Sequence, residues 1–458
     1  MMDLIVSANG VLWGWLLITL LIGAGLFFSI TLKLPQFRHI KRMFTSVFLK
    51  KTDEEGISPF ATLCAAVGGQ VGTGNLSGVA TAIFAGGPGA VFWMWLIGIL
   101  GMPIIFAEAV LAQLFREKNP DGTHRGGPAY YLSKGVGSKW LAVIMSVVTI
   151  IGVGYVIASL QCNSIVGGFA GIVDVPPIAI GITIAAITSL VIFGGMKRIS
   201  KVATFVVPFM ALAYLVVAII GMLFHLDKFP EVFSLVFSHA FGFESVAGGV
   251  AGYTVKNAFR YGTARGLFSN EAGQGTTPVV HAVADVDHPA SQGFVAMFGV
   301  FADTLVICTS TAFIILFSGA TSSGLDGIAL TQFAIGEIIG PVGPYFILVC
   351  ITFFAWTSML ANIYCGESNV RYLIDNEKVA IGYRISAVIM VVIGSVMPSA
   401  DMWQLADFFN AMMIFPNLIG LFLLYKIVLT VLKDYEGQLK SGNTNPKWDW
   451  SIDAKTLK

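Results

Sequence analysis

Long uncharged stretches alternate with short polar loops along this chain. Val11–Leu32 carries no charge for 22 residues. A bilayer-crossing helix needs about 20 apolar residues, so this stretch predicts a first span. Lys33, Arg38, His39, Lys41, Arg42, Lys50 and Lys51 follow as a basic cluster. Basic loops stay on the cytoplasmic side, so the chain is expected to start outside. Gly56–Ala107 is then uncharged for 52 residues. That is enough for two spans, divided at Gly86-Gly87-Pro88-Gly89. The loop Arg116–Gly127 is expected inside. Trp140–Val173 runs outward, Val175–Met196 returns to Lys197, Arg198 and Lys201, and Val202–Phe224 runs outward again.

The second half is more polar. Pro230–Glu244 is expected at the outer surface. A discontinuous span over Ser245–Val283 re-enters the cytoplasm near Asp285–His288. Ala290–Ser318 runs outward, a surface helix follows around Leu330–Ile338, and Tyr345–Cys365 runs inward. Beyond the polar loop Glu367–Lys378, Ile385–Met397 and Trp403–Val431 complete eleven transmembrane helices. The tail Lys433–Lys458 is expected in the cytoplasm. The basic loops agree with this parity, which counting the spans does not guarantee.

Composition narrows the class. The chain has 458 residues, 56% hydrophobic and 12% charged. Soluble domains carry about 25% charge, so this one cannot coat a globular surface with ions. A soluble enzyme, a disordered chain and, at net charge +1, a nucleic-acid binder are excluded. What is left is a polytopic membrane protein, which the helical spans above make all-α; so little loop is expected to suit a plasma membrane. Cys64, Cys162, Cys308, Cys350 and Cys365 lie in apolar segments without a CxxC pair. They read as small buried hydrophobes. The N-terminus lacks a basic region and a cleavage site, so no cleaved signal peptide is expected.

Glycine changes the picture. Two spans carry sequence that a lipid-facing helix would avoid. Ala65–Gly78 (AAVGGQVGTGNLSG) holds five glycines with Gln70, Thr73, Asn75 and Ser77. Tyr261–Thr277 (YGTARGLFSNEAGQGTT) holds four, with Arg265, Ser269, Asn270, Glu271 and Gln274. Glycine costs about 1 kcal/mol against alanine inside a helix, so both segments are expected to unwind partway. Unwound backbone inside a bilayer is tolerated where it lines a cavity. A half-helix N-terminus suits a carboxylate, and the opposing carbonyls suit Na⁺. Discontinuous helices at matching places in two repeats point to a secondary-transporter binding site. Asn75 and Asn270 stand 195 residues apart, and five spans separate the two breaks. Five is odd, so the second copy is inverted, giving one N-terminal helix plus a 5+5 repeat. Small-residue helix packing would explain Gly74 and Gly78 but not the polar residues beside them. Gly72-Thr73-Gly74-Asn75-Leu76-Ser77-Gly78 half-resembles a dinucleotide fingerprint, but its third glycine is misplaced and the βαβ context is missing.

At these residues the chain resembles the alanine/glycine:cation symporter family of amino-acid carriers. The matching stretches are GTGNLSGVATAIFAGGPGAVFWMW (Gly72–Trp95), RGGPAYYL (Arg125–Leu132), RGLFSNEAGQG (Arg265–Gly275) and, within His288–Cys308, HPASQGF and FADTLVIC. The resemblance covers about residues 10 to 432 and implies a leucine-transporter-like fold. It implies Na⁺- or H⁺-coupled uptake of a small neutral amino acid. It puts the substrate carboxylate at Gly72, Thr73 and Gly74 beside Asn75, with Gln161 as a hydrogen-bonding pocket residue. Phe268, Ser269 and Asn270 would supply the other broken helix. Thr357 and Ser358 match a hydroxyl pair that completes a Na⁺ site in this fold; back-bonding to their own helix is the alternative. The family's G-W-x-Y-Y-G-E pattern departs here to Ala361-Asn362-Ile363-Tyr364-Cys365-Gly366-Glu367. A smaller polar Asn362 makes room, so glutamine joins alanine and glycine as a candidate substrate. The expected organisation is residues 1–50 (first helix and basic loop), 51–229 and 230–432 (the two repeats) and 433–458 (tail), as a monomer.

Charges at membrane depth are costly and usually paired or functional. Here they are Glu108, Lys256, Arg260, Arg265, Glu271, Asp303 and Asp407. Glu108 is expected in a gate or scaffold salt bridge. Arg265 and Glu271, six apart, are expected to have different partners, and Glu271 or Asp303 could carry a proton. Trp93, Trp95, Trp140, Trp403 and Tyr425 read as interfacial anchors, and Lys447–Trp450 (KWDW) as a stretch touching the membrane surface. No HExxH or GxSxG supports an intramembrane enzyme. The two breaks differ in sequence, unlike the repeated filter of a channel.

Overall fold

The computed structural model describes residues 2–49, 56–119, 122–242 and 251–457; of 251–254 only the backbone is described. Lys50 and Lys51, the boundary between them, and the start of the second discontinuous span lie outside those residues.

The architecture is helical, apart from a two-stranded hairpin, Glu117–Lys118 with His124–Arg125, in the expected polar loop. Among the described residues, eight helices are long and apolar enough to cross a membrane. They begin with Met2–Thr31 and end with Ser399–Lys440. Pro177–Ile192 is apolar but shorter. The last helix continues past residue 432 as far as Lys440. The helix starts follow capping chemistry. Ser58 accepts from Ala61 N ahead of Pro59, and Asn376 accepts from Lys378 N; both satisfy amides that a first turn leaves free.

The two expected interruptions are present. The first helix runs Pro59–Gln70, opens at Val71 (ψ 94°), and resumes at Gly74 to end at Gly86. The second runs Ala251–Asn270, unwinds, and has a last turn at Thr277–His281. Glu271, Gly273 and Gly275 hold φ of 59°, 88° and 89° there, a left-handed backbone that ends a helix. Both interrupted helices are sheathed by others, with almost every residue of the two breaks buried. Beside the start of the first and beyond the end of the second the two segments meet: Asp285 N donates to Ile57 O at 2.9 Å.

Two peripheral elements pack against the rest of the protein. The helix Gly327–Ile339 exposes Phe333 on one side and buries the other. Its Leu330, Thr331, Ala334 and Ile335 are buried, and Thr331 Oγ1 donates to Leu76 O of the first interrupted helix. The KWDW stretch packs against the loop that follows the second interrupted helix, with Trp450 still 45% exposed. Trp448 N donates to Asp287 O, its ring meets His288, and Trp450 lies under the Arg116 guanidinium.

Candidate functional site

The two breaks face each other across a small cavity. Gln70, the last residue before the first break, donates Nε2 to Asn270 O, the last before the second, at 2.7 Å. Gly69, Gln70, Gly72 and Gly74 line one side. Phe268, Glu271 and Gln274 line the other, and Ile157, Gln161 and Ser358 close it. The free volume is about 10 Å³, room for about one water. The walls are close because the residues are small. A Cβ on Gly72 would lie 2.9 Å from both Gln161 Oε1 and Ser358 Cβ, and one on Gly74 3.1 Å from Phe268 Cδ1.

At the first break the backbone amides are held by side chains. Gly72 N donates to Asn75 Oδ1 at 2.8 Å. Thr73 donates twice to Gln161 Oε1, from its N at 3.0 Å and its Oγ1 at 2.8 Å. An amide oxygen therefore sits where the Gly74–Gly86 half-helix begins, the polarity that helix end favours. Ser358 Oγ donates to Gly69 O at 2.7 Å, at the carbonyl end of Pro59–Gln70. Thr357 Oγ1 donates back to Phe353 O and Phe354 O of its own helix. Of the expected hydroxyl pair, only Ser358 reaches the break.

Asn75, Ser269 and Asn270 lie behind the cavity rather than in its wall. Asp303 joins two of them: it accepts from Asn75 Nδ2 at 2.6 Å, Ser269 Oγ at 2.8 Å and Thr304 Oγ1 at 2.9 Å. Asn270 Oδ1 caps Ala272 N. Asn362 donates to Ser358 Oγ at 3.3 Å, one residue removed from the cavity.

The second break is braced by acids. Glu271 Oε2 accepts from the Thr276 and Thr277 hydroxyls, each at 2.6 Å. Glu108 forms no salt bridge among the described residues. Its Oε2 takes Gly273 N at 3.1 Å and its Oε1 takes Asn417 Nδ2 at 2.5 Å. It thus satisfies the amide that unwinding frees, the need that replaces the expected ion pair. Tyr131 hydroxyl completes this network through Asn417. Arg265 pairs with Asp407 in a fork of 2.8 and 2.9 Å, so it and Glu271 do have different partners. Trp403 packs against Phe268 at a tilt of 50° and lies under Arg265, 4.4 Å from the guanidinium, so it backs the wall residue Phe268.

A profile of the sodium:alanine symporter family matches residues 1–449. The chain belongs to that family. Among its relatives, a Bacillus subtilis (strain 168) protein named probable sodium/glutamine symporter GlnT is 41% identical, over 95% of this chain and 91% of its own. The sodium/alanine symporter AgcS of Methanococcus maripaludis is 35% identical, over 94% and 97%. In fold the chain is similar to MhsT, whose crystal structure holds L-phenylalanine. The TM-score is 0.57 at 14% identity, covering 88% of this chain and 97% of that one. The family is one of membrane carriers, so the chain is a secondary transporter and not an enzyme. The expected leucine-transporter-like fold agrees with that neighbour.

Sequence reasoning brought Gly72, Gly74, Gln161, Phe268 and Ser358 to the cavity. It missed Gln70 and Gln274 as wall residues, although both stand inside the two quoted motifs.

Proposed function

We propose that the chain carries a small neutral amino acid into the cell with Na⁺ by alternating access. The proposed arrangement is eleven transmembrane helices, one plus a 5+5 inverted repeat, with the N-terminus outside and the C-terminus in the cytoplasm. The observation that carries the reading is the double hydrogen bond from Thr73 to Gln161 Oε1. A substrate carboxylate would replace that amide oxygen at Thr73 N, next to Gly72, Gly74 and Asn75. Gln161, released, turns its amide to the substrate. Phe268 covers the substrate on the other side, with Ser269 and Asn270 setting that wall from behind.

The Na⁺ site proposed lies at Gly69 O and Ser358 Oγ, which already touch. Thr357 joins it by rotating its hydroxyl off its own helix. H⁺ is the alternative coupling ion. The tight walls favour alanine and glycine as substrates. Glutamine is the second reading, favoured by the amide of Asn362 beside Ser358 and by the name of the GlnT relative.

Uptake of labelled alanine, glycine and glutamine into proteoliposomes, under Na⁺ or H⁺ gradients imposed separately, tests this. Saturable accumulation driven by the Na⁺ gradient is expected. No gradient-driven uptake of any of the three would overturn it. Gln161→Ala and Asn75→Ala are expected to weaken substrate binding without loss of folded yield.

A further inference from the structure

We propose that Glu271 is the counter-ion of the substrate's α-ammonium group. It is then the residue that confines the carrier to amino acids and turns away simple carboxylic acids. The inference rests on the amino-acid symport reading above and names one contact within it.

Glu271 lines the cavity together with Gly72, Gln161 and Phe268. It therefore stands across from the amides assigned to the substrate carboxylate. Its own carboxylate is held from one side only. Oε2 accepts both the Thr276 and Thr277 hydroxyls, while Oε1 accepts no hydrogen bond among the described residues. Two hydroxyls on one oxygen fix the group in place and leave the other oxygen for a donor.

No basic side chain pairs with it among the described residues. Arg265 precedes it on the same helix, but both its terminal nitrogens are taken by Asp407. A carboxylate at membrane depth without a cation is costly, and the cargo brings a cation of its own. The two other buried acids nearby have complete sets of donors. Glu108 holds Gly273 N and Asn417. Asp303 receives Asn75, Ser269 and Thr304 and is not in the cavity wall. The wall amides Gln70 and Gln274 also leave their side-chain oxygens without a partner, but they carry no charge; of the three buried acids, only Glu271 combines a wall position with an open carboxylate oxygen among the described residues.

The backbone points the same way. Glu271 has φ 59°, a conformation uncommon outside glycine, asparagine and aspartate. Such residues persist where their surroundings over-determine them and cluster at ligand sites. An α-amino acid so bound bridges the two breaks, its carboxylate on the first and its ammonium on the second. A carboxylic acid without the amine would meet Glu271 as a like charge.

The test is binding of L-alanine and of propionate, alanine without its amine, to the purified full-length protein in Na⁺. The wild type is expected to bind alanine and exclude propionate. Glu271→Gln keeps the volume and the threonine contacts. It is expected to weaken alanine about 10- to 100-fold, the scale of one charge-assisted hydrogen bond, and to admit propionate. Unchanged alanine affinity would overturn the inference. So would a variant whose only change is a lost pH dependence of uptake, since Glu271 would then carry a proton. If Glu271→Gln does not yield monodisperse protein, Glu271→Asp keeps the charge. That variant should weaken alanine and still exclude propionate, and its acceptance of propionate would equally refute the assignment. A wild type that binds no amino acid would instead remove the symport reading, so the two failures are distinguishable.

Discussion

Removing the charge of Asp407 tests what holds the cavity shut on the side of Phe268. Asp407 accepts from Arg265 through two parallel hydrogen bonds of 2.8 and 2.9 Å, and the two side chains are 14% and 7% exposed. The guanidinium also covers Trp403, whose ring backs Phe268 in the cavity wall. Asp407→Asn keeps the shape and leaves Arg265 as a buried, uncompensated cation. Breaking a buried pair from one side costs about 3–5 kcal/mol. The ring contact, worth about 2 kcal/mol when desolvated, exists already in the wild type and cannot make up the loss. Opening this wall lets Arg265 hydrate, so the variant should shift toward the open form by about two to four decades. Slower uptake and a lower thermal unfolding midpoint in detergent are expected. The double variant Arg265→Gln/Asp407→Asn removes both ions and with them the cost of burying an unpaired one. It should unfold at a higher temperature than Asp407→Asn alone. A double variant no more stable than the single would refute the reasoning, because the loss would then come from packing and not from a stranded charge.

Four further outcomes follow from the same geometry. Gly72→Ala puts a methyl 2.9 Å from Gln161 Oε1 and from Ser358 Cβ, so uptake should vanish while gel filtration still shows folded protein. Ser358→Ala should raise the Na⁺ concentration for half-maximal uptake several-fold, and Thr357→Val should do less, since its hydroxyl serves its own helix; equal effects would count against the proposed ion site. His288, just ahead of the Pro289–Phe317 span, is held below the usual histidine range of about 6.5 by burial, partly offset by Asp434. The folded state thus binds fewer protons there than the unfolded one, so stability should be full above about pH 6.5 and fall as pH drops through it; unfolding midpoints of His288→Asn should lose that slope. Truncation after Ser441 removes Trp448 from His288 and Trp450 from Arg116, and limited proteolysis should then cut faster around residues 282–288.

The interruptions were legible because glycine and amide side chains cluster where apolar sequence is the rule, and both breaks fall inside the stretches so marked. The partners were not. Asp303 stands 228 residues from Asn75, and a lone aspartate in a span signals cost without naming its donors. Trp403 near a span end has the pattern of a lipid anchor; only the fold brings Phe268 and Arg265 against it. Glu108 has the charge of an ion-pair member, yet the group it satisfies is a backbone amide of Gly273, which no side-chain pattern displays. Glu271 is the sharpest case. Its sequence context is a motif, and a glutamate in a motif is compatible with a proton carrier, a salt bridge or a cap. What separates these is the left-handed turn and two hydroxyls on a single oxygen. A cap would spend both oxygens on the protein, as Glu108 does, and a salt bridge would have claimed Arg265. The free oxygen in the cavity wall is what argues for a contact made to cargo.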